Sequence, residues 1–155
     1  MRQHLAAHSM RRLVPAEPPV ELPVAAKLSA FRVADDGDRE AVMAKTTRGY
    51  QGIFDTGATS TAIAAHVVDD LLLPVVDRIP VQSAEGQSIR TVHAVNMVLG
   101  DGVVFTGLPV VCMPLAGVDL LVGMDVIGCG DFRVSLKHGF LVVDFDMFIP
   151  SAGPE

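Results

Sequence analysis

Residues 54–61 read FDTGATST, with Asp55-Thr56-Gly57 set directly after the apolar approach Gly52-Ile53-Phe54. The apolar run has the character of an interior strand, the Thr-Gly-Ala turn ends it, and the hydroxyls of Thr59, Ser60 and Thr61 lead away. One carboxylate is thereby set on a tight loop at the end of a buried strand. A catalytic carboxylate needs that setting: rigid backbone, low local dielectric and hydrogen-bond donors close by. Three residues recur by chance in many chains, so the triplet decides nothing without a second element.

That element is residues 119–125, DLLVGMD, in which Leu121 and Val122 precede a glycine that lies 68 positions after Asp55. Gly123 allows a backbone approach that any Cβ would block. Residues 124–132, MDVIGCGDF, then read as a short helix and a turn. DTGA followed by LLVGMD resembles the retropepsin-like (retroviral-type) aspartic proteases, and Ala58 is closer to the retroviral than to the pepsin pattern. The LVGMD…GDF run looks closer to bacterial and other cellular single-domain members than to viral ones. The resemblance spans roughly residues 40–146 and is concentrated in these two blocks.

The resemblance implies an all-β fold, a small closed β-barrel with a flap hairpin and one or two short helices. It implies that Leu121, Val122 and Gly123 pass behind the active-site loop, and that peptide hydrolysis proceeds without a cofactor or a metal. Pepsin-like enzymes carry two such loops in a chain of about twice this length. Here 155 residues hold one DTG and no internal repeat. Two facing carboxylates then require a C2 homodimer that brings two copies of Asp55 together. An apolar content of 50% and a mean hydropathy of +0.41 exceed what a monomer of this size needs to bury.

Composition excludes several other classes. A net charge of −6 and a pI near 5.2 lack the basic footprint of a nucleic-acid binder. No stretch approaches the ~18–20 continuous apolar residues of a membrane span. The N-terminus carries Arg2, Arg11 and Arg12 with no apolar segment between them, so no secretory signal is expected. Cys112 and Cys129 read as reduced thiols of a cytoplasmic protein rather than a disulfide. The five histidines (His4, His8, His66, His93 and His138) show no ligand spacing, and Asp35, Asp36 and Asp38 read as a turn rather than a calcium loop.

Along the chain, residues 1–19 read as a flexible arm, with Met1 or Met10 as the start, 20–149 as the domain, and 150–155 as a tail. Residues 20–31 are strand-like, 34–38 a turn, 40–47 a resumed strand, and 50–56 the strand that delivers the loop. Residues 62–73 have helical spacing with Ser60 and Thr61 as caps and Pro74 as the stop. Residues 76–83 and 88–99 form a hairpin whose tip, Ala84, Glu85, Gly86 and Gln87, falls where the family places its flap; Gly86 can take a positive φ there. Pro109 marks the strand over 103–113 as an edge or a bulge. Strands over 119–122, 132–136 and 140–145 complete the chain, and 141–145 matches the family's dimer-sheet strand. Many short strands with brief helices describe a small barrel.

In the resembled family Thr56 bonds across to the partner's loop, while Gly57 turns an N–H toward the carboxylate. Ala58 lacks the hydroxyl with which pepsin-like enzymes stabilise the ionised aspartate, which predicts an activity optimum nearer about pH 5–6 than a gastric one. An extended polypeptide substrate would lie across the barrel mouth like an added strand. With no Trp, aliphatic residues such as Ile53, Val81, Ile89 and Val122 are the subsite candidates. Asp125 reads as structural, capping the short helix or pairing with Arg133, and Asp69-Asp70 as a solvated helix face. The alternative function is a non-catalytic dimerisation or peptide-binding module on the same fold. An arm that blocks pairing until it is removed is a third possibility.

Overall fold

The computed structural model describes residues 9–15 and 21–148; the rest of the expected arm and the expected tail lie outside the described residues. In chain order the elements are β1 (Ser9–Pro15), β2 (Leu22–Ala30), α1 (Arg39–Lys45), β3 (Arg48–Phe54), β4 (Ala62–Ile63), α2 (Ala65–Leu71) and β5 (Asp77–Ser83). They continue with β6 (Gly86–Leu99), β7 (Val103–Cys112), β8 (Leu120–Val122), α3 (Met124–Ile127), β9 (Gly130–Lys137) and β10 (Phe140–Met147). The fold is all-β, with the three α-helices among the described residues as short connectors.

Strand β3 buries every second residue, Tyr50, Gly52 and Phe54, as one-sided burial demands of an extended chain. β8 lies parallel beside it with Gly52 opposite Leu120 and Phe54 opposite Val122. A Cβ on Gly52 would sit 2.6 Å from the Leu120 carbonyl oxygen and the Leu120 Cγ, so the two strands close only on glycine. The larger sheet has the order β2-β3-β8-β4-β7-β6-β5, and β2 also pairs with β6. That extra pairing, Ala26–Ala30 against Leu99–Val95, joins six strands into a ring with β5 outside it. Val24, Leu28, Leu99, Val103, Leu120 and Val122 are among the side chains buried in the common core. Each such burial stabilises by about 1.5–3 kcal/mol over exposure.

A second sheet, β1-β10-β9, carries the other end of the core. Phe145 and Val143 are buried there, and Phe132 stacks obliquely between Phe145 at 6.4 Å and Phe54 at 5.0 Å between ring centroids. The end of β3 is thereby packed onto the small sheet. Among the described residues, no helix is long and apolar enough to cross a membrane.

Several expectations change. Residues 9–15 of the expected arm form β1, registered on β10 from Ser9–Asp146 to Pro15–Phe140. β10 therefore has both backbone edges occupied within the chain, and the strand expected to extend a dimer sheet is the central one. Residues 39–45 are helical rather than extended, because Asp38 accepts the Ala41 N–H at 3.0 Å and caps the turn. The predicted helix over 62–73 begins as β4, and α2 starts only at Ala65; Ala64 holds the cap position without a side-chain bond, so neither Ser60 nor Thr61 caps it. Leu72, in the left-handed conformation at φ 52°, ends it before Pro74. Pro109 lies in a strand that is interior in sheet order, yet β4 reaches only Val111 and Cys112, so proline costs no ladder bond on that side. The register shift falls opposite, between Val95 and Met97.

Candidate functional site

β3 ends at the buried Phe54 and hands the chain to Asp55, whose N–H donates to the Val122 carbonyl at 2.9 Å. The turn closes when the Ala58 N–H bonds the Asp55 carbonyl at 3.2 Å. Inside the turn the Gly57 N–H donates to Asp55 Oδ1 at 2.8 Å. A carboxylate that accepts a backbone N–H is held in orientation by its own loop. Asp55 is half-buried, as is Ala58, while Thr56, Gly57 and Thr59 are exposed. The acid and the Thr56 side chain are thus presented outward from a fixed backbone.

The loop is clasped from behind. A Cβ on Gly123 would lie 2.7 Å from the Ser60 carbonyl carbon and 3.0 Å from the Ala58 oxygen. Met124 N–H donates to the Ala58 carbonyl at 2.8 Å and Asp125 N–H to the Thr59 carbonyl at 3.2 Å. The Asp125 carboxylate takes the Thr61 N–H at 2.9 Å and the Thr61 hydroxyl at 2.7 Å, and also the Val126 N–H at 2.9 Å. The same hydroxyl oxygen accepts the Gly123 N–H at 3.2 Å. Asp125 thus serves the loop rather than either expected partner: Gly123 holds the cap position of α3, and Arg133 pairs with Asp146 at 2.8 Å.

Asp119 does comparable work one strand earlier. Its carboxylate accepts the Gln51 N–H at 2.8 Å and meets His66 Nε2 at 2.8 Å, while its carbonyl takes the Ala64 N–H at 2.9 Å. Neither Thr61 nor Asp119 stood out in the sequence as a brace of the loop. The hydroxyl that closes FDTGATST and the aspartates that bracket LLVGM were the available signals, but these partners lie more than fifty residues away.

A cleft of about 450 Å³ opens beside the loop. Gly57, Ala58 and Thr59 form one wall, Ile79, Pro80, Val81 and Gln82 of β5 another, and Val111, Met113, Leu115 and Leu121 the floor. Of the aliphatic candidates Val81 lines it. Val122 is fully buried behind the loop, and Ile89, 66% exposed, points to the opposite face of the hairpin. Ile53 is half-buried and outside the lining. Ile79, Pro80, Met113 and Leu115 were not anticipated; the loop over 113–119 has no periodicity to announce them. The hairpin β5–β6 turns at Ala84 and Glu85, with Gly86 at φ 116°. Ala84, Glu85 and Gln87 are exposed and Gly86 half-exposed. Ser83 braces the tip, its hydroxyl donating to the Gly86 carbonyl at 3.2 Å and accepting the Glu85 N–H at 3.3 Å.

Among the described residues, no group of three or more His, Cys, Asp or Glu is arranged to hold a metal ion. Cys112 and Cys129 are free thiols. His93 is buried and bonded to the Pro74 carbonyl at 2.8 Å and to Thr91 Oγ1 at 3.0 Å, a core histidine.

Residues 45–128 match the family described as gag-polyprotein putative aspartyl protease. Among solved structures, the fold is similar to a retropepsin-like aspartic protease from Rickettsia conorii. The TM-score is 0.55 at 11% identity, over 91% of this chain and 95% of that one. Simian foamy virus (mac) protease aligns with a TM-score of 0.46 at 15% identity, over 68% of this chain and 91% of that one. No curated protein matches the sequence.

Proposed function

Because the chain belongs to the retropepsin-like family of gag-polyprotein aspartyl proteases, we propose that it is an aspartic endopeptidase that works as a homodimer and cleaves extended polypeptides. The observation that carries this reading is Asp55 itself: a half-buried carboxylate held by the Gly57 N–H at 2.8 Å, in a loop whose next residues, Gly57, Ala58 and Thr59, line an open cleft. One copy supplies one such acid. Two copies facing across a two-fold axis, about 3 Å apart, share a single proton because both cannot ionise. The ionised member takes a proton from a bound water, which attacks the scissile carbonyl. The protonated member donates to the carbonyl oxygen as the tetrahedral intermediate forms.

The clasp of Gly123, Thr61 and Asp125 on the loop is what such chemistry requires of a scaffold, because a misplaced acid loses most of its effect. The apolar wall at Ile79 and Val81 suits aliphatic side chains beside the cut, and β5–β6 is the hairpin that would close over the chain.

The test is cleavage of a mixed peptide library between about pH 3 and 8 by the wild type and by Asp55→Asn. Cleavage at apolar junctions is expected, with a loss of at least about 10²-fold in the variant and unchanged thermal unfolding. A dimeric wild-type protein that cleaves nothing overturns the reading and leaves a peptide-binding module.

A further inference from the structure

A second cleft, about 380 Å³, adjoins the first and shares Met113 and Leu115 with it. Its other walls include His66, Arg90, Cys112 and Pro114. Arg90 sits on β6 directly opposite Ile79 of β5, as Ser88 sits opposite Val81. Directly opposed residues share a face of a hairpin, so Arg90 stands on the same inner face as the two aliphatic residues of the first cleft. Its guanidinium donates through Nε to Ser88 Oγ at 3.1 Å. Among the described residues it has no other hydrogen-bond partner and no ion pair. No carboxylate lines this cleft, and the ring of His66 is held at its edge by Asp119.

A half-buried arginine with its terminal nitrogens unengaged, in a concave site continuous with a peptide cleft, is a receptor for a planar anion. Arginine binds carboxylates through paired, parallel N–H donors. Building on the protease reading, we infer that the second cleft is a specificity subsite that takes an acidic side chain, Asp or Glu, of the bound polypeptide. That residue lies one or more positions outside the pair flanking the cut. The apolar surface of Met113, Pro114 and Leu115 packs the methylene part of the side chain, and Arg90 takes its carboxylate. The enzyme then selects by a dual mark: aliphatic at the cut, acidic at a distance from it.

The experiment uses full-length Asp55→Asn protein, which cannot turn over, to capture peptides from a randomised library amidated at the C-terminus. The same capture is run with Arg90→Gln and Arg90→Lys added. Expected is roughly tenfold enrichment of Asp and Glu at one position, abolished by Arg90→Gln and only partly kept by Arg90→Lys, which preserves the charge but not the paired donors. Equal pools from the first two proteins overturn the inference. So does enrichment that appears only when the peptides carry a free C-terminal carboxylate, since the anion is then the chain end. Wild-type turnover of the same library tests the protease reading separately. Acidic enrichment without cleavage sinks the enzyme and keeps the subsite; cleavage without enrichment does the reverse.

Discussion

At the residue scale the site rests on what glycine lacks and on one hydroxyl. Gly123 is opposed by backbone on the far side, the Ser60 carbonyl carbon at 2.7 Å from a would-be Cβ, and backbone cannot swing aside as a side chain can. Gly123→Ala should destabilise by about 1–3 kcal/mol, read by urea unfolding, and lower turnover with it; an unchanged midpoint would sink the close approach. This glycine was legible in LLVGMD because close approach is a property a single residue type announces. Thr61 was read instead as a helix cap. Its real partners, Asp125 and Gly123, are distant in sequence, and a bond between distant residues leaves no local trace. The same limit hid Asp119, and it left Asp125 as a helix cap or a partner of Arg133, when Gly123 holds the cap position and Arg133 pairs with Asp146.

At the element scale, segments bounded by strong turns were legible. The hairpin β5–β6 and the pair β9–β10 declare themselves through alternation and the glycines at 86 and 139, both with positive φ. Residues 39–45 were misread because their alanines and valine suit either state, and the deciding feature is the Asp38 cap. β1 was missed because its sequence, SMRRLVP, is strand-like only once β10 lies beside it. The turn before α1 carries a titratable network of its own. Buried Asp35 pairs with Lys45, accepts Asn96 Nδ2 at 3.0 Å and takes the Arg32 N–H at 2.7 Å. The Lys45 ammonium, with help from Asn96 and Arg32 and against the pull of burial, lowers its pKa from 3.8 to about 2. A depressed carboxylate stabilises the fold fully above its unfolded-state value and loses that contribution as pH falls toward the folded one. The stability difference between wild type and Asp35→Asn, measured in urea, should therefore be constant near about pH 6 and shrink between about pH 4 and 2. A difference that grows on acidification contradicts the network.

For the whole molecule, the dimer proposed above raises the question of which surface a second copy would use. β10 is hydrogen-bonded on both sides, so backbone pairing falls to an outer strand. Among the described residues β9 pairs only with β10, and it leaves Val134 44% and Leu136 65% exposed, a combination that invites pairing. Leu136→Glu should weaken self-association by roughly tenfold or more in sedimentation experiments, and specific activity should fall on dilution sooner than for the wild type. Activity independent of concentration down to the monomer would remove the dimer requirement. The clasp on the Asp55 loop also has a consequence in time. Strand β8 fits between β3 and β4, yet it is made almost seventy residues after β3. Non-local pairing of this kind is slow to form, and no local hairpin can substitute for it. During synthesis the Asp55 loop leaves the ribosome with its brace still unmade. The proteolysis proposed for this loop would thereby be withheld from the nascent chain and its neighbours until nearly the whole domain has emerged, a delay written into the order of the strands.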